Sequence, residues 1–267
     1  MSSQQPTLVL CELTDPGIEG LESYSPFCLK AHRALRIAGL GYERRHAEAP
    51  HSFKRLNPTG QVPVLLVDGE PVADSTAILQ RIDALTGALT RGLDERQRAE
   101  AWLWEELADT ALNGFLVCAR WADERNWPAL RETYFGSAPW FVQRVIAPQL
   151  RKKVVGAMVA RDVWRRGADA CWARFQTVLD QLEARAPERS FWLSDTVTVA
   201  DVALLAQLHS LRTPLTPWQG EQLARRARLS AYLDRVDAAT RARASSSAVP
   251  SSTTSRPALL AHQHSSH

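Results

Sequence analysis

A small α/β unit followed by an all-helical domain is the fold class that this 267-residue chain predicts. Three observations carry it. Short runs rich in β-formers alternate with helical patterns over residues 7–86. Within that stretch, Asp68-Gly69 sits between two apolar runs, a strong hairpin signal. From residue 94 onward apolar residues recur at three- and four-residue steps over long stretches, the pattern of amphipathic helices. The organisation is therefore a tail over 1–6, an α/β unit over 7–86, a linker over 87–93, a helical domain over 94–239 and a tail over 240–267.

The elements follow in order. Residues 7–13 are short and β-rich, which suits a buried strand. A loop over 14–24 carries Pro16, Gly17 and Gly20. The amphipathic helix over 29–38 has a marked start, with Ser25 as N-cap and Pro26 at the first helical position, and Gly39 marks its stop. Residues 41–47 suit a second strand with Tyr42 facing in. Runs 62–67 and 71–73 flank the hairpin, and Asp74 or Ser75 then caps a helix through Ala77, Ile78, Leu79 and Ile82 that Gly87 ends.

In the helical domain, Ala99, Leu103, Leu107, Ala111 and Phe115 share one face of the first long helix. Further helices are predicted over 138–160, 162–186, 199–211 and 219–239, with Pro187, Pro214 and Pro217 marking breaks. The stretch 126–139, with Pro128, Gly136 and Pro139, reads as an irregular crossing. Thr198 caps the helix after it, with the Asp201 carboxylate reaching back to the Thr198 N–H and Val197 and Val202 placed as a hydrophobic staple. Beyond residue 239 the composition is too poor in apolar residues to offset ordering entropy, so disorder is expected.

Composition narrows the function classes. A hydrophobic share of 45% and a charged share of 23% are those of a soluble globular protein. A net charge of +3 does not argue for nucleic acid. Cys11, Cys28, Cys118 and Cys171 lack metal-ligand spacing and read as reduced thiols, which points to the cytoplasm. No secretory signal and no apolar run near the ~18 residues of a spanning helix is visible, so no membrane role is expected. His262, His264 and His267 read as a solvated tail, and no metal is expected.

The chemistry-bearing residues are Ser25-Pro26-Phe27-Cys28 at a helix start, Val62-Pro63 before a strand, and Asp74-Ser75 at another helix start. A helix N-terminus has orphan N–H groups and a positive dipole end, both of which favour a thiolate. Strand, helix, strand, hairpin and helix in this order resemble a thioredoxin-like unit. The run 23–83 resembles the N-terminal domain of glutathione transferases, and the helical remainder with Thr198-Val199-Ala200-Asp201 is similar to their C-terminal domain. The likeness covers 7–239 and implies the glutathione transferase fold.

The resemblance implies that Ser25 is the catalytic serine, donating its O–H to the glutathione thiolate. Pro63 would be cis, with the Val62 N–H and C=O holding the cysteinyl part. Gln61 would reach the glycyl end, Ser75 the γ-glutamyl carboxylate and Asp74 its ammonium. Glutathione enters as co-substrate, small apolar electrophiles as partners, and a homodimer is expected. Each residue also has a plain structural reading: Ser25 and Asp74-Ser75 as caps, Pro63 as an edge proline, Gln61 as a solvated loop residue. Tyr24 is a rival donor, Lys54 a second candidate for the glycyl carboxylate, and Cys28 either a packed thiol or a redox group. Asn57-Pro58-Thr59-Gly60 is assigned a turn. Trp102 and Trp104 cannot share a helix face, so one is expected in the core and the other in the cleft, with Phe115 also on the wall-forming helix. A second function remains open, because Ser25-Pro26-Phe27-Cys28-Leu29-Lys30 and Ala73-Asp74-Ser75 also look like the metaxin and failed-axon-connection branch, which implies a soluble, non-catalytic binding or scaffold protein.

Overall fold

The computed structural model describes residues 6–15, 17, 21–47 and 52–241. The expectations for the tail histidines, for Pro16 and Gly20, and for disorder over 242–267 lie outside them, while Thr240, expected in the disordered tail, closes the last helix. Four strands, β1 (Leu8–Glu12), β2 (Glu43–His46), β3 (Val64–Val67) and β4 (Glu70–Ala73), form one sheet in the order β2-β1-β3-β4. β1 runs parallel to β2 and antiparallel to β3, and β3 runs antiparallel to β4. The register sets Leu10 opposite Leu65 and Leu8 opposite Val67. Those four side chains share one face because strand residues alternate sides. That face packs against α1 (Pro26–Ile37) through Ala31, Ala34 and Leu35, and against α2 (Ser75–Thr86) through Ile78, Leu79 and Ile82. The other face, with Cys11, Val64 and Leu66, is covered by Phe53. Covered on both sides, β3 is buried along its whole length, which is why its sequence is continuously apolar.

The helical part begins with α3 (Glu95–Leu107), opened by a capping box in which Asp94 Oδ1 accepts from the Gln97 N–H at 2.8 Å. It continues without a break through a π-helical turn (Ala108–Leu112), α4 (Asn113–Val117) and a second π turn (Cys118–Ala122). Gly114 is needed here: a Cβ on it would stand 2.9 Å from Val163 Cγ2. Then come α5 (Trp127–Phe135), a π turn (Val142–Ile146) leading into α6 (Ala147–Ala160), α7 (Gly167–Arg185), α8 (Val199–His209), α9 (Pro217–Ala224) and α10 (Ala227–Thr240). α8 is buried from Val199 to Leu208 and is the axis of the domain. It touches α1, so one continuous core joins sheet, flanking helices and bundle.

Two stretches differ from expectation. The supposed crossing at 126–139 holds helix α5, since Pro128 falls in its first turn, where a missing N–H costs nothing. The helix expected over 219–239 is two helices, broken at Arg225 and Arg226. The cause is tertiary. Glu183 of α7 accepts from the N–H groups of Arg228 and Leu229, at 3.1 and 2.7 Å, and so caps a fresh helix start. The Thr198 cap is formed: Asp201 Oδ2 lies 2.8 Å from both the Thr198 N–H and its hydroxyl. Asp201 Oδ1 also accepts from the Trp192 N–H and the Tyr232 O–H, both at 2.7 Å. All four cysteines are buried and form no disulfide.

Candidate functional site

A cleft of about 380 Å³ lies where the approach to β3, the end of β4 and the start of α2 face the helical wall. Its floor is built locally. Asn57 Nδ2 donates to the Gln61 carbonyl at 2.9 Å, while Asn57 Oδ1 accepts from the Thr59 N–H at 3.1 Å and its hydroxyl at 2.9 Å. Gly60 takes φ 72°, a left-handed conformation that closes this turn. The turn delivers Gln61, Val62 and Pro63 to the cleft edge. The Val62–Pro63 peptide is cis. Among the described residues, neither the N–H nor the C=O of Val62 has a backbone partner, so this edge is open to a peptide-like ligand.

Ala73, Asp74, Ser75 and Thr76 form the adjoining side. Asp74 takes φ 81°, outside the usual range for a residue with a side chain. Its Oδ1 caps α2 by accepting from the N–H groups of Thr76 at 2.8 Å and Ala77 at 3.2 Å. Ser75 is only 4% exposed. Its hydroxyl lines the cleft side of the helix start and makes no hydrogen bond among the described residues.

Thus Gln61, Val62, Pro63, Asp74 and Ser75 meet around one cleft. Ser25 is not among its lining residues; Phe27 stands at that edge instead. Ser25 is the N-cap of α1, half-buried, and its Oγ accepts from the Cys28 N–H at 3.4 Å. Burial pushes the Cys28 thiol up to about 12, against hydrogen bonds from the Ser25 hydroxyl, the Leu13 backbone and the Ser23 hydroxyl. Cys28 is therefore a neutral thiol at ordinary pH, and the Ser25 hydroxyl addresses a sulfur of the chain itself. Tyr24 packs edge-on against Tyr134, with ring centroids 5.4 Å apart. Lys54 is exposed, and its stem lies beside Gly60 rather than on the cleft.

The facing wall differs from expectation. Neither Trp102, Trp104 nor Phe115 lines the cleft. Trp104 packs edge-on against Trp192 at 5.0 Å, Phe115 lies tilted against Phe175 at 5.4 Å, and Trp102 packs against the main core. The side of the helix that reaches the cleft carries Glu106 and, in the first π turn, Asp109. Behind them lies a buried cluster. Lys30 of α1 donates to Glu105 Oε1 at 2.5 Å and to Asp109 Oδ2. Thr76 Oγ1 donates to Glu105 Oε1 at 2.7 Å, and Gln207 Nε2 to Asp109 Oδ1 at 3.1 Å. Burial raises the Asp109 carboxyl to about 6, with Lys30 opposing and Glu105 adding to the rise. Sequence reasoning missed Glu106 and Asp109; their three-residue spacing, which sets both on one helix face, was the available signal. No group of histidine, cysteine and acidic residues suited to a metal occurs among the described residues. No helix among them is long and apolar enough to cross a membrane. A larger hollow of about 630 Å³, between the end of α1, the segment 191–197 and the end of α10, holds none of the candidate catalytic or glutathione-binding residues.

Residues 26–126 match the glutathione S-transferase N-terminal domain and residues 162–235 the glutathione S-transferase C-terminal domain. Human metaxin-2 is 24% identical over 185 residues, covering 68% of this chain and 70% of its own length. Glutathione transferase GST 23 of Zea mays is 34% identical over 111 residues, 39% of this chain and 50% of its own. Among solved structures, the beta-etherase LigF of Sphingobium superposes with a TM-score of 0.62 at 23% identity, over 87% of this chain and 95% of that one.

Proposed function

We propose, for a chain that belongs to the glutathione S-transferase superfamily, that the cleft binds glutathione and that the chain conjugates its thiolate to small electrophiles. The observation that carries the reading is the open Val62 peptide edge beside Ser75, a buried residue whose hydroxyl makes no hydrogen bond among the described residues. The edge suits the cysteinyl backbone, and the start of α2 with Ser75 suits the γ-glutamyl carboxylate. Asp74 answers the γ-glutamyl ammonium and Gln61 the glycyl end. Ser25 rotates from Cys28 toward the cleft and donates its O–H to the guest sulfur.

With an aryl halide, sulfur forms a bond to the ring carbon, the halide leaves with the bonding pair, and the thiol proton passes to water. A thiolate pKa lowered by two units corresponds to about 2.7 kcal/mol of ionisation free energy. The reading places the protein in the cytoplasm as a homodimer, which light scattering on the purified chain checks.

A second reading has its own observation. The Ser25 hydroxyl is engaged with Cys28 and lies off the cleft lining, which favours a binding protein without catalysis. Retention on immobilised glutathione followed by an aryl-halide conjugation assay separates the two. Turnover that falls about tenfold or more in Ser25→Ala, with glutathione affinity kept, supports the enzyme. Retention without turnover supports the binding protein, and no retention removes both.

A further inference from the structure

We infer that the co-substrate side of this cleft takes a positively charged group, so that the preferred electrophile carries a protonated or quaternary amine; this rests on the reading of the cleft as a glutathione site. The lining contains Asp74, Glu106 and Asp109, and no lysine, arginine or histidine. Lys30, the cation paired with Asp109, is fully buried behind the wall and shared between Glu105 and Asp109. One cation thus stands against four carboxylates (Asp74, Glu105, Glu106, Asp109), a net charge of −3 when all are ionised.

Glutathione does not correct this imbalance. It brings one ammonium, which Asp74 answers on the reading above, and it adds two carboxylates and a thiolate. Glu106 is exposed and has no ion-pair partner among the described residues. The Phe27 ring lines the same cleft, with Lys30 Nζ 5.9 Å from its centroid, and aromatic rings attract cations. The aromatic residues that would make an apolar wall are packed elsewhere. Two carboxylates and an aromatic ring on a cleft lining that carries no lysine, arginine or histidine describe a place for a cation, not for a plain hydrocarbon. The same field steers cationic molecules inward in solution.

The test does not need catalysis. Three S-alkyl conjugates of glutathione, alike except for a tether ending in trimethylammonium, in its neutral tert-butyl isostere or in carboxylate, are titrated into the full chain by calorimetry beside glutathione itself. The trimethylammonium conjugate is expected to bind about fivefold more tightly than the tert-butyl one and the carboxylate conjugate more weakly than both. Glu106→Gln, a change at an exposed position, should erase most of that preference while glutathione affinity holds, and Asp109→Asn is the second variant. Equal affinities for the first two conjugates overturn the inference and leave the glutathione reading standing. So does a Glu106→Gln variant that weakens glutathione and all three conjugates alike, because that assigns Glu106 to the γ-glutamyl ammonium. If neither glutathione nor any conjugate binds, the glutathione reading fails and this inference with it.

Discussion

Two carboxylates, the buried Asp201 and the half-buried Asp109, are both pushed up in pKa by desolvation, yet they do opposite work. Asp201 is wrapped by four protein donors: the Trp192 and Thr198 N–H groups and the Thr198 and Tyr232 hydroxyls. It ties the start of α8 to α10 and to the segment before α8. Asp109 is held by one cation and one amide, Lys30 and Gln207, and it borders the cleft. A carboxylate satisfied by neutral donors on every side is a structural knot. One that shares a cation with a second acid at a cleft wall leaves charge over, and that charge is available to a ligand.

The sharpest way to break the comparison is Lys30→Met. Removing the cation leaves Glu105 and Asp109 facing each other in the interior, at an expected cost of about 3–5 kcal/mol, read as a lowered midpoint in urea. A loss under ~1 kcal/mol would show that water already reaches the cluster. Asp201→Ala comes next. Stranding the Trp192 and Thr198 N–H groups and the Tyr232 hydroxyl should cost roughly 2–3 kcal/mol, and Asp201→Asn less. An unchanged melting temperature in Asp201→Ala would end its role as a knot.

The third effect is on pH dependence. The Asp109 carboxyl rises from 3.8 to about 6 in the folded chain. Between those values the native state holds a proton that the unfolded state has lost, so this contribution to stability falls as pH rises from 3.8 to 6 and is flat above. Glu12 and Glu22, held below their usual range by their arginine and histidine partners despite burial, slope the other way below about pH 4.5. The stability difference between the native chain and Asp109→Asn isolates the first slope. A flat difference across pH 4–6 would mean that Asp109 is better solvated than its packing indicates.

Local chemistry was legible in the residues. Ser25-Pro26 before α1, Asp68-Gly69 between β3 and β4, and Thr198 with Asp201 at α8 are caps and turns whose partners lie within a few positions. The residues at the cis Val62–Pro63 peptide and at Asp74-Ser75 were found the same way, through short motifs at fixed chain positions. What escaped depends on distant partners. Trp104 is turned by Trp192, α10 begins where Glu183 of another helix caps it, and Asp109, in the π turn after α3, is held at the cleft wall by Lys30 of α1.

By itself, then, the amino-acid order determined the strands and the locally capped helix starts, because hydrogen bonds and backbone torsions over a few residues decide those. Only the tertiary structure decided which face of α3 meets the cleft, and so whether its wall is apolar or acidic. Helical periodicity puts several faces on offer, and the choice among them falls to packing against residues far away in the chain.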